Sequence, residues 1–181
     1  GFMEIEARKG VEEARLQQDP RGVRKAERRL AVVRKEQQRR VEGRIPQTMK
    51  LFRKGRGPGP LAASRGVYYS DSESGVEHAL MFEPVAQHLP MQTRNVTFQN
   101  PAIFKDITNA LETYLGPDIV EQLGGIRKLM DNPEVIEMAE SMAAQHAKAR
   151  GHDFLIFTER GSGATEIVDL ATVEVQTESK P

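Results

Sequence analysis

The stretch PRGVRKAERRLAVVRKEQQRRVE, residues Pro20–Glu42, predicts one helix of about six turns, and the other segments are placed relative to it. Asp19 precedes it as an N-cap, because a carboxylate accepts the free N–H groups of a first helical turn. Pro20 suits the first helical position, where its missing N–H costs nothing. Most of the following residues have high helix propensity, and Gly43 and Pro46 supply the stop signal.

The predicted helix is strongly basic and carries only a narrow apolar stripe. Like charges four residues apart, such as Arg24 and Arg28, destabilise an isolated helix by about 0.2–0.5 kcal/mol per pair. A chain that carries several such pairs is expected to present this face to an anionic partner, either nucleic acid or an acidic protein surface. The alternative is a solvated helix that packs on its own domain through its stripe, at Val23, Ala26, Leu30, Val33 and Val41.

The charge of the chain is divided between two unlike parts. Residues 1–65 contain 18 Lys and Arg against 8 Asp and Glu, and residues 66–181 contain 8 against 18, so a formal net charge of zero conceals one part at +10 and one at −10. The basic side chains of the first part are the candidate contacts to nucleic acid or an acidic partner. They are Arg21, Arg24, Lys25, Arg28, Arg29, Arg34, Lys35, Arg39, Arg40, Arg44, Lys50, Arg53, Lys54 and Arg56.

The sequence predicts four segments. Residues 1–44 form a helical arm, in which a shorter helix over 3–18, interrupted at Gly10, folds back on the basic helix as an antiparallel hairpin. Residues 45–65 form a basic linker, because repeated glycines and prolines interrupt regular structure. An acidic domain over 66–176 and a short tail over 177–181 complete the chain.

The acidic domain is predicted to be α+β, with an antiparallel sheet of about five strands and three helices on one face. Strands are expected at 67–69, 78–83 and 94–99, and a closing hairpin at 154–157 and 167–176. The helices lie between these two groups of strands. Asn-Pro or Gly-Pro dipeptides bound them, at about 101–115, 118–130 and 133–150.

The residue types that catalysis or metal binding requires do not form a recognisable pattern. There is no cysteine, which excludes disulfides, thiolate catalysis and Cys-based zinc sites. The cluster of Asp71, Glu73, Glu77 and His78 is typical of an acidic surface turn, and Gly161–Thr165 lacks the lysine of a phosphate-binding loop. We therefore predict no catalytic residue, no metal ligand and no cofactor, and expect that the protein is not an enzyme.

These observations favour a structural or assembly protein of a large multi-subunit complex, for example a viral particle, portal or tail component. Its partners would be protein subunits in a homo- or hetero-oligomer, with nucleic acid as a further partner of the arm. The alternatives are a nucleic-acid-binding protein with little sequence specificity, and an arm that folds onto its own acidic domain. No apolar run approaches a membrane span, and no secretory signal is expected, which favours a location inside a cell or particle over secretion.

Overall fold

The computed structural model describes residues 2–17, 19–43, 45–55, 57–81, 83–160 and 165–176. The chain divides into two compact units, residues 1–45 and residues 46–181. The regular structure described in the first unit is helical, and the second unit combines helices with a sheet, so the predicted α+β class is confirmed. The predicted tail at 177–181 lies outside the described residues.

The first unit is a pair of helices, α1 (Phe2–Leu16) and α2 (Pro20–Glu42). The bounds of α2 are those that the sequence predicts, and the Asp19 carboxylate accepts a bond of 3.1 Å from the backbone N–H of Arg21. The helix α1 continues through Gly10, where a break was expected. A Cβ at Gly10 would lie 3.9 Å from the Cβ of Ala26, so the two helices are close at this point, and this packing offsets the low helix propensity of glycine.

The two helices are antiparallel, as predicted, and they share a very small core. Near one end Arg34 lies 3.7 Å from Glu4, and near the other Arg15 lies 3.6 Å from Glu27. Within the described part of the unit, the buried apolar residues are Ala7, Val11 and Leu30, with Ala26 and Val33 packed against them.

In the described residues of the second unit, six strands form one sheet. They are β1 (Thr48–Lys54), β2 (Val67–Ser70), β3 (Met91–Thr97), β4 (Ala102–Phe104), β5 (Phe154–Phe157) and β6 (Glu166–Asp169). Their order is β3-β1-β2-β6-β5-β4, and every pair is antiparallel except β4 with β5. The sheet is therefore mixed, whereas the sequence predicted an antiparallel one of about five strands.

The helices of this unit follow the strands in chain order. They are α3 (Ala62–Arg65), α4 (Glu73–Ala79), α5 (Pro84–Gln87), α6 (Ile107–Leu115), α7 (Ile119–Gln122), α8 (Ile126–Asp131) and α9 (Pro133–Ala149). The long helix α9 begins at Pro133 as predicted, with the Asn132 side chain accepting from the backbone N–H of Glu134 and Val135.

Three predicted segments have a different structure. The linker over 45–65 contains β1 and α3, and β1 pairs with both β2 and β3 around the fully buried Leu51. The strand expected at 78–83 is wrong, because the Ser72 hydroxyl accepts from the N–H of Gly75 and starts helix α4. Residues 102–104, expected to begin a helix, form β4 beside β5.

The core of the second unit lies between the sheet and the helices α6 and α9. On the sheet side, Leu155 and Phe157 of β5 and Val168 of β6 are fully buried. On the helix side, α9 contributes a face of small residues spaced by four, Ala139, Ala143 and Ala147, which lets the helix approach closely.

Candidate functional site

The predicted basic side chains of α2 lie mainly on the surface of the first unit. Arg21, Arg24, Lys25, Arg28, Arg29 and Lys35 are exposed, and the half-buried Arg34 instead lies beside Glu4 of α1. The side chains of Arg39 and Arg40 belong to α2 but are outside the described residues, as are Arg44 and Arg56.

Three of the predicted basic residues, Lys50, Arg53 and Lys54, lie on β1 instead of on a linker. Lys50 is exposed, with its ammonium 5.5 Å from the ring centroid of Phe52. Lys54 is neutralised within the unit, because its Nζ lies 2.6 Å from Glu77 and donates to the Gln87 carbonyl. Lys54 is therefore not among the basic residues that are available to a partner.

The second unit also contains a cavity of about 490 Å³, which the sequence analysis did not identify. Its volume lies in the range of small-molecule sites. Its walls come from β1, β2, α4, the segment 58–62 and the start of β6. These segments are far apart in sequence, so no local motif indicates the cavity. Its polar lining includes Arg53, Lys54, Arg65, Tyr68, Tyr69, Ser70, His78, Glu83, Arg160, Thr165 and Glu166.

Arg53 is the cation of this cavity that no carboxylate neutralises within the described residues. Its guanidinium donates from Nη1 to the Gly57 carbonyl at 2.6 Å. A Cβ at Gly55 would lie 3.3 Å from the same guanidinium, so the following turn packs directly on it. The turn thus fixes the position of a guanidinium group that retains unused donors.

Three charged residues of the cavity lining, Arg65, Arg160 and Glu166, belong to one chain of ion pairs. Glu140 of α9, only 4 % exposed, lies 3.2 Å from Arg65 and 3.3 Å from Arg160. Arg160 in turn lies 2.7 Å from Glu166. Two carboxylates balance two guanidinium groups, so this chain of ion pairs has no net charge and is rigidly hydrogen-bonded.

The Tyr68 ring is held between the two arginines of these ion pairs. The Arg65 and Arg160 guanidinium carbons lie 5.1 Å and 5.7 Å from its centroid. Burial raises the pKa of Tyr68 well above its ordinary value, with the Glu140 carboxylate adding to the shift. Burial also raises the pKa of Glu166, although Arg160 opposes that shift. Glu166 therefore retains a proton more readily than an exposed glutamate does.

Close backbone packing shapes the wall near Ser70. A Cβ at Gly75 would lie 2.1 Å from the Ser70 Oγ, so only glycine lets helix α4 approach β2 in this way. The cavity thus combines one uncompensated guanidinium group, the Ser70 and Thr165 hydroxyls, two tyrosines and a glutamate of raised pKa. Such a set can bind an anionic group on one side and hydroxyl groups on another.

The other sequence clusters do not form a metal site. In the part of the chain that the structure describes, no group of three or more His, Asp or Glu side chains is placed to hold a metal ion. Glu77 of the predicted acidic turn pairs with Lys54, while His78 lines the cavity. Of the loop Gly161–Thr165, only Thr165 belongs to the described residues.

No helix within the described ranges has both the length and the apolar character needed to cross a bilayer. Comparison of the chain with protein-family models, with curated proteins and with solved structures finds no match. The function is therefore argued from the two surfaces above, the basic face of α2 and the cavity beside Arg53.

Proposed function

We propose that this chain is a non-enzymatic structural or assembly protein of a large multi-subunit complex, such as a viral particle, portal or tail component. In this proposal the basic face of α2 contacts a neighbouring subunit. The observation that supports it is a helical unit whose described part exposes six basic side chains on α2 and buries only three apolar ones.

The small core of the first unit favours a role that includes a partner. Burying Val11 and Leu30 contributes about 1.5–3 kcal/mol each. Short helices are marginally stable without tertiary packing, and the repulsion between exposed cations adds to their cost. A partner with negative charge would relieve that repulsion and bury more of the hairpin.

Self-association of the full-length chain tests this proposal. We expect the mass measured by sedimentation velocity to rise with protein concentration at low salt, and the R24E/R28E variant in α2 to remain smaller under the same conditions. The matched control is K9E/K50E, which reverses two exposed cations, one on α1 and one on β1, outside α2, α8 and α9. A wild-type chain that stays monomeric at every concentration would contradict a homo-oligomer and restrict the proposal to hetero-assemblies.

The alternative proposal is that α2 binds nucleic acid with little sequence specificity. The exposed arginines support it, because guanidinium groups bind phosphates well. Fluorescence anisotropy with labelled 30-mer DNA and RNA would then show a steep salt dependence, with a slope of about −0.9 per neutralised phosphate on duplex DNA. R24E/R28E should reduce that slope, whereas R127E/K128E, which reverses two exposed cations of α8, should not. No binding at low salt would exclude this alternative.

We also propose a second function for the cavity of the second unit, namely binding of a small molecule that carries a phosphate group next to hydroxyl groups. A nucleotide and a sugar phosphate are the model compounds. The supporting observation is the Arg53 guanidinium, which lacks a carboxylate partner among the described residues and faces a 490 Å³ cavity. Guanidinium groups bind phosphate oxygens in a bidentate manner, and Ser70 and Glu166 can bond to ligand hydroxyls.

Calorimetric titration with ADP, ribose 5-phosphate and inorganic phosphate tests the cavity. We expect R53M to weaken binding of the organic phosphates by at least about tenfold, which is about 1.4 kcal/mol. K50M is the matched control, because Lys50 lies on the same strand and outside the cavity. Equal binding by R53M and the wild type would reject the site.

The expectation that the protein is not an enzyme is tested separately, by NMR analysis of products after long incubation with these compounds.

A further inference from the structure

We propose that helices α8 and α9 form the docking surface for helix α2 of a second copy of this chain. The inference depends on the assembly function proposed above and specifies which surface the arm contacts.

An apolar patch lies exposed on α8 and α9. Ile126 and Met130, one turn apart on α8, are 59 % and 68 % exposed, and Met138 of the adjacent helix α9 is also exposed. Leu129, between the first two, is buried in the core, so Ile126 and Met130 are on the outward side of the helix. Unbranched methionines adapt to the shape of a partner, which suits a contact surface.

Exposed acidic side chains accompany this patch on α7, α8 and α9. Glu121, Asp131, Glu134 and Glu137 are exposed, and none of them makes an ion pair within the described ranges. The basic residues between positions 118 and 138 are Arg127 and Lys128, so carboxylates predominate. The surface therefore requires a partner that combines apolar and cationic groups.

The outward side of α2 has that composition. Arg21, Lys25, Arg28, Val32 and Lys35 follow the spacing of one helix face, and all five are exposed, with Val32 at 69 %. The opposite side of α2 carries Leu30 and packs on α1. The exposed stripe spans 14 residue steps, about 21 Å, and places an apolar contact between cations.

Charge complementarity favours a copy of the chain over nucleic acid as the occupant. Val32 gains nothing from a phosphate backbone, whereas it can pack against Met130 or Ile126 while Arg28 and Lys35 reach the carboxylates of α9. Each copy carries one stripe and one patch, so the contact joins two different surfaces. Repetition of such a contact produces a ring or a filament, which is the behaviour expected of an assembly protein.

A charge-swap experiment on full-length chains tests the pairing. R28E/K35E reverses the stripe and E134K/E137K reverses the patch. We expect sedimentation velocity at low salt to show concentration-dependent association of the wild type, and at least about tenfold weaker association for each variant alone. An equimolar mixture of the two variants, and the chain with all four changes, should associate again. Circular dichroism confirms that the variants are folded.

The other outcomes distinguish this inference from the function on which it depends. If R28E/K35E abolishes association and E134K/E137K leaves it unchanged, helices α8 and α9 are not the docking surface. Assembly through α2 would then still be supported. If the wild type never associates with itself, a second copy is not the occupant of the α8–α9 surface. That conclusion holds whether the arm then binds DNA or folds onto its own chain in a salt-sensitive way. The uncharged variant M130S/M138S should also weaken association, and its failure to do so would remove the apolar part of the argument.

Discussion

The two units of this protein use charge in opposite ways. On α2 six basic side chains are exposed, among them the neighbours Arg24 and Lys25 and the neighbours Arg28 and Arg29. In the second unit the carboxylate of Glu140 is buried and bonded to Arg65 and Arg160. Exposed unpaired charge gives little to the stability of its own unit and is available to a partner, whereas buried paired charge positions the groups around it. Substitutions of exposed charges should therefore change association, whereas substitutions of buried groups should change the free energy of unfolding.

The largest effect is expected from the core of the second unit. Phe157 is fully buried in β5, so F157A should lower the free energy of unfolding by about 3–5 kcal/mol. All three tyrosines of the chain belong to this unit, which makes tyrosine fluorescence its specific reporter during urea unfolding. V85A, at a side chain that is 83 % exposed, is the control and should change stability by less than about 0.5 kcal/mol. A similar small change for F157A would contradict the described core.

The next effect comes from the buried ion pairs. E140A removes the carboxylate between Arg65 and Arg160, and we expect a loss of about 3 kcal/mol because two guanidinium groups then lack their shared partner. E140Q keeps hydrogen-bond acceptance and should cost less. Tyrosine fluorescence is again the measurement, since Tyr68 lies between these arginines. Equal stability of E140A and the wild type would mean that the network does not hold this part of the cavity lining.

The first unit provides the contrasting case. L30A removes the largest buried apolar side chain among the described residues of this unit and should destabilise the hairpin by about 2–3 kcal/mol. Because the described residues of the hairpin bury only two other apolar side chains, we expect far-UV circular dichroism to show lost helix at a urea concentration where tyrosine fluorescence is unchanged. K25A, at an exposed position of the same helix, is the control. Simultaneous change of both signals would show that the units do not unfold independently.

The same contrast explains which parts of the fold could be predicted. The bounds of α2 follow from local signals, the Asp19 cap, Pro20 and high propensity, and no distant contact alters them. Strand β1 depends on pairing with β2 and β3, which are distant in sequence, so residues 48–54 are predicted as part of the linker over 45–65 on account of its glycines and prolines. The segment 102–104 likewise became a strand through its parallel pairing with β5.

The two candidate sites also differ in whether local sequence or distant contacts determine them. The exposed cations of α2 were predicted because burial on a helix follows from its period, although Arg34 faces Glu4 instead of solvent. The cavity was missed because Arg53, Tyr68 and Glu166 come together only through the strand order β1-β2-β6. The spacing of these residues in the sequence carries no signal of their proximity.

A smaller effect is expected at the start of α9. The Asn132 side chain accepts bonds of 3.0 Å and 3.4 Å from the N–H groups of Glu134 and Val135, so N132A should cost about 1 kcal/mol. N132S keeps an acceptor at the cap and should retain most of the stability. Urea unfolding followed by tyrosine fluorescence measures both variants. Because the cap acts on the second unit, the helix signal of the first unit should be unaffected. A change in that signal would contradict independent unfolding of the two units.

The smallest effect concerns pH. Burial lowers the pKa of His146 below 6.5, and the adjacent Arg150, whose Nη1 lies 3.1 Å from His146 Nδ1, lowers it further. The Tyr114 ring stacks on the imidazole at 5.7 Å and offers it no charge. The unfolded chain therefore binds this proton more readily than the folded one, so stability should fall as the pH drops below about 6.5. H146Q should remove that component, measured as a flatter dependence of the urea midpoint between about pH 7.5 and 5.5. If H146Q and the wild type lose stability in parallel, the dependence arises from other groups. Opposite behaviour, with the wild type gaining stability on acidification, would mean that another group outweighs His146, and Glu166 acts in that direction because burial raises its pKa.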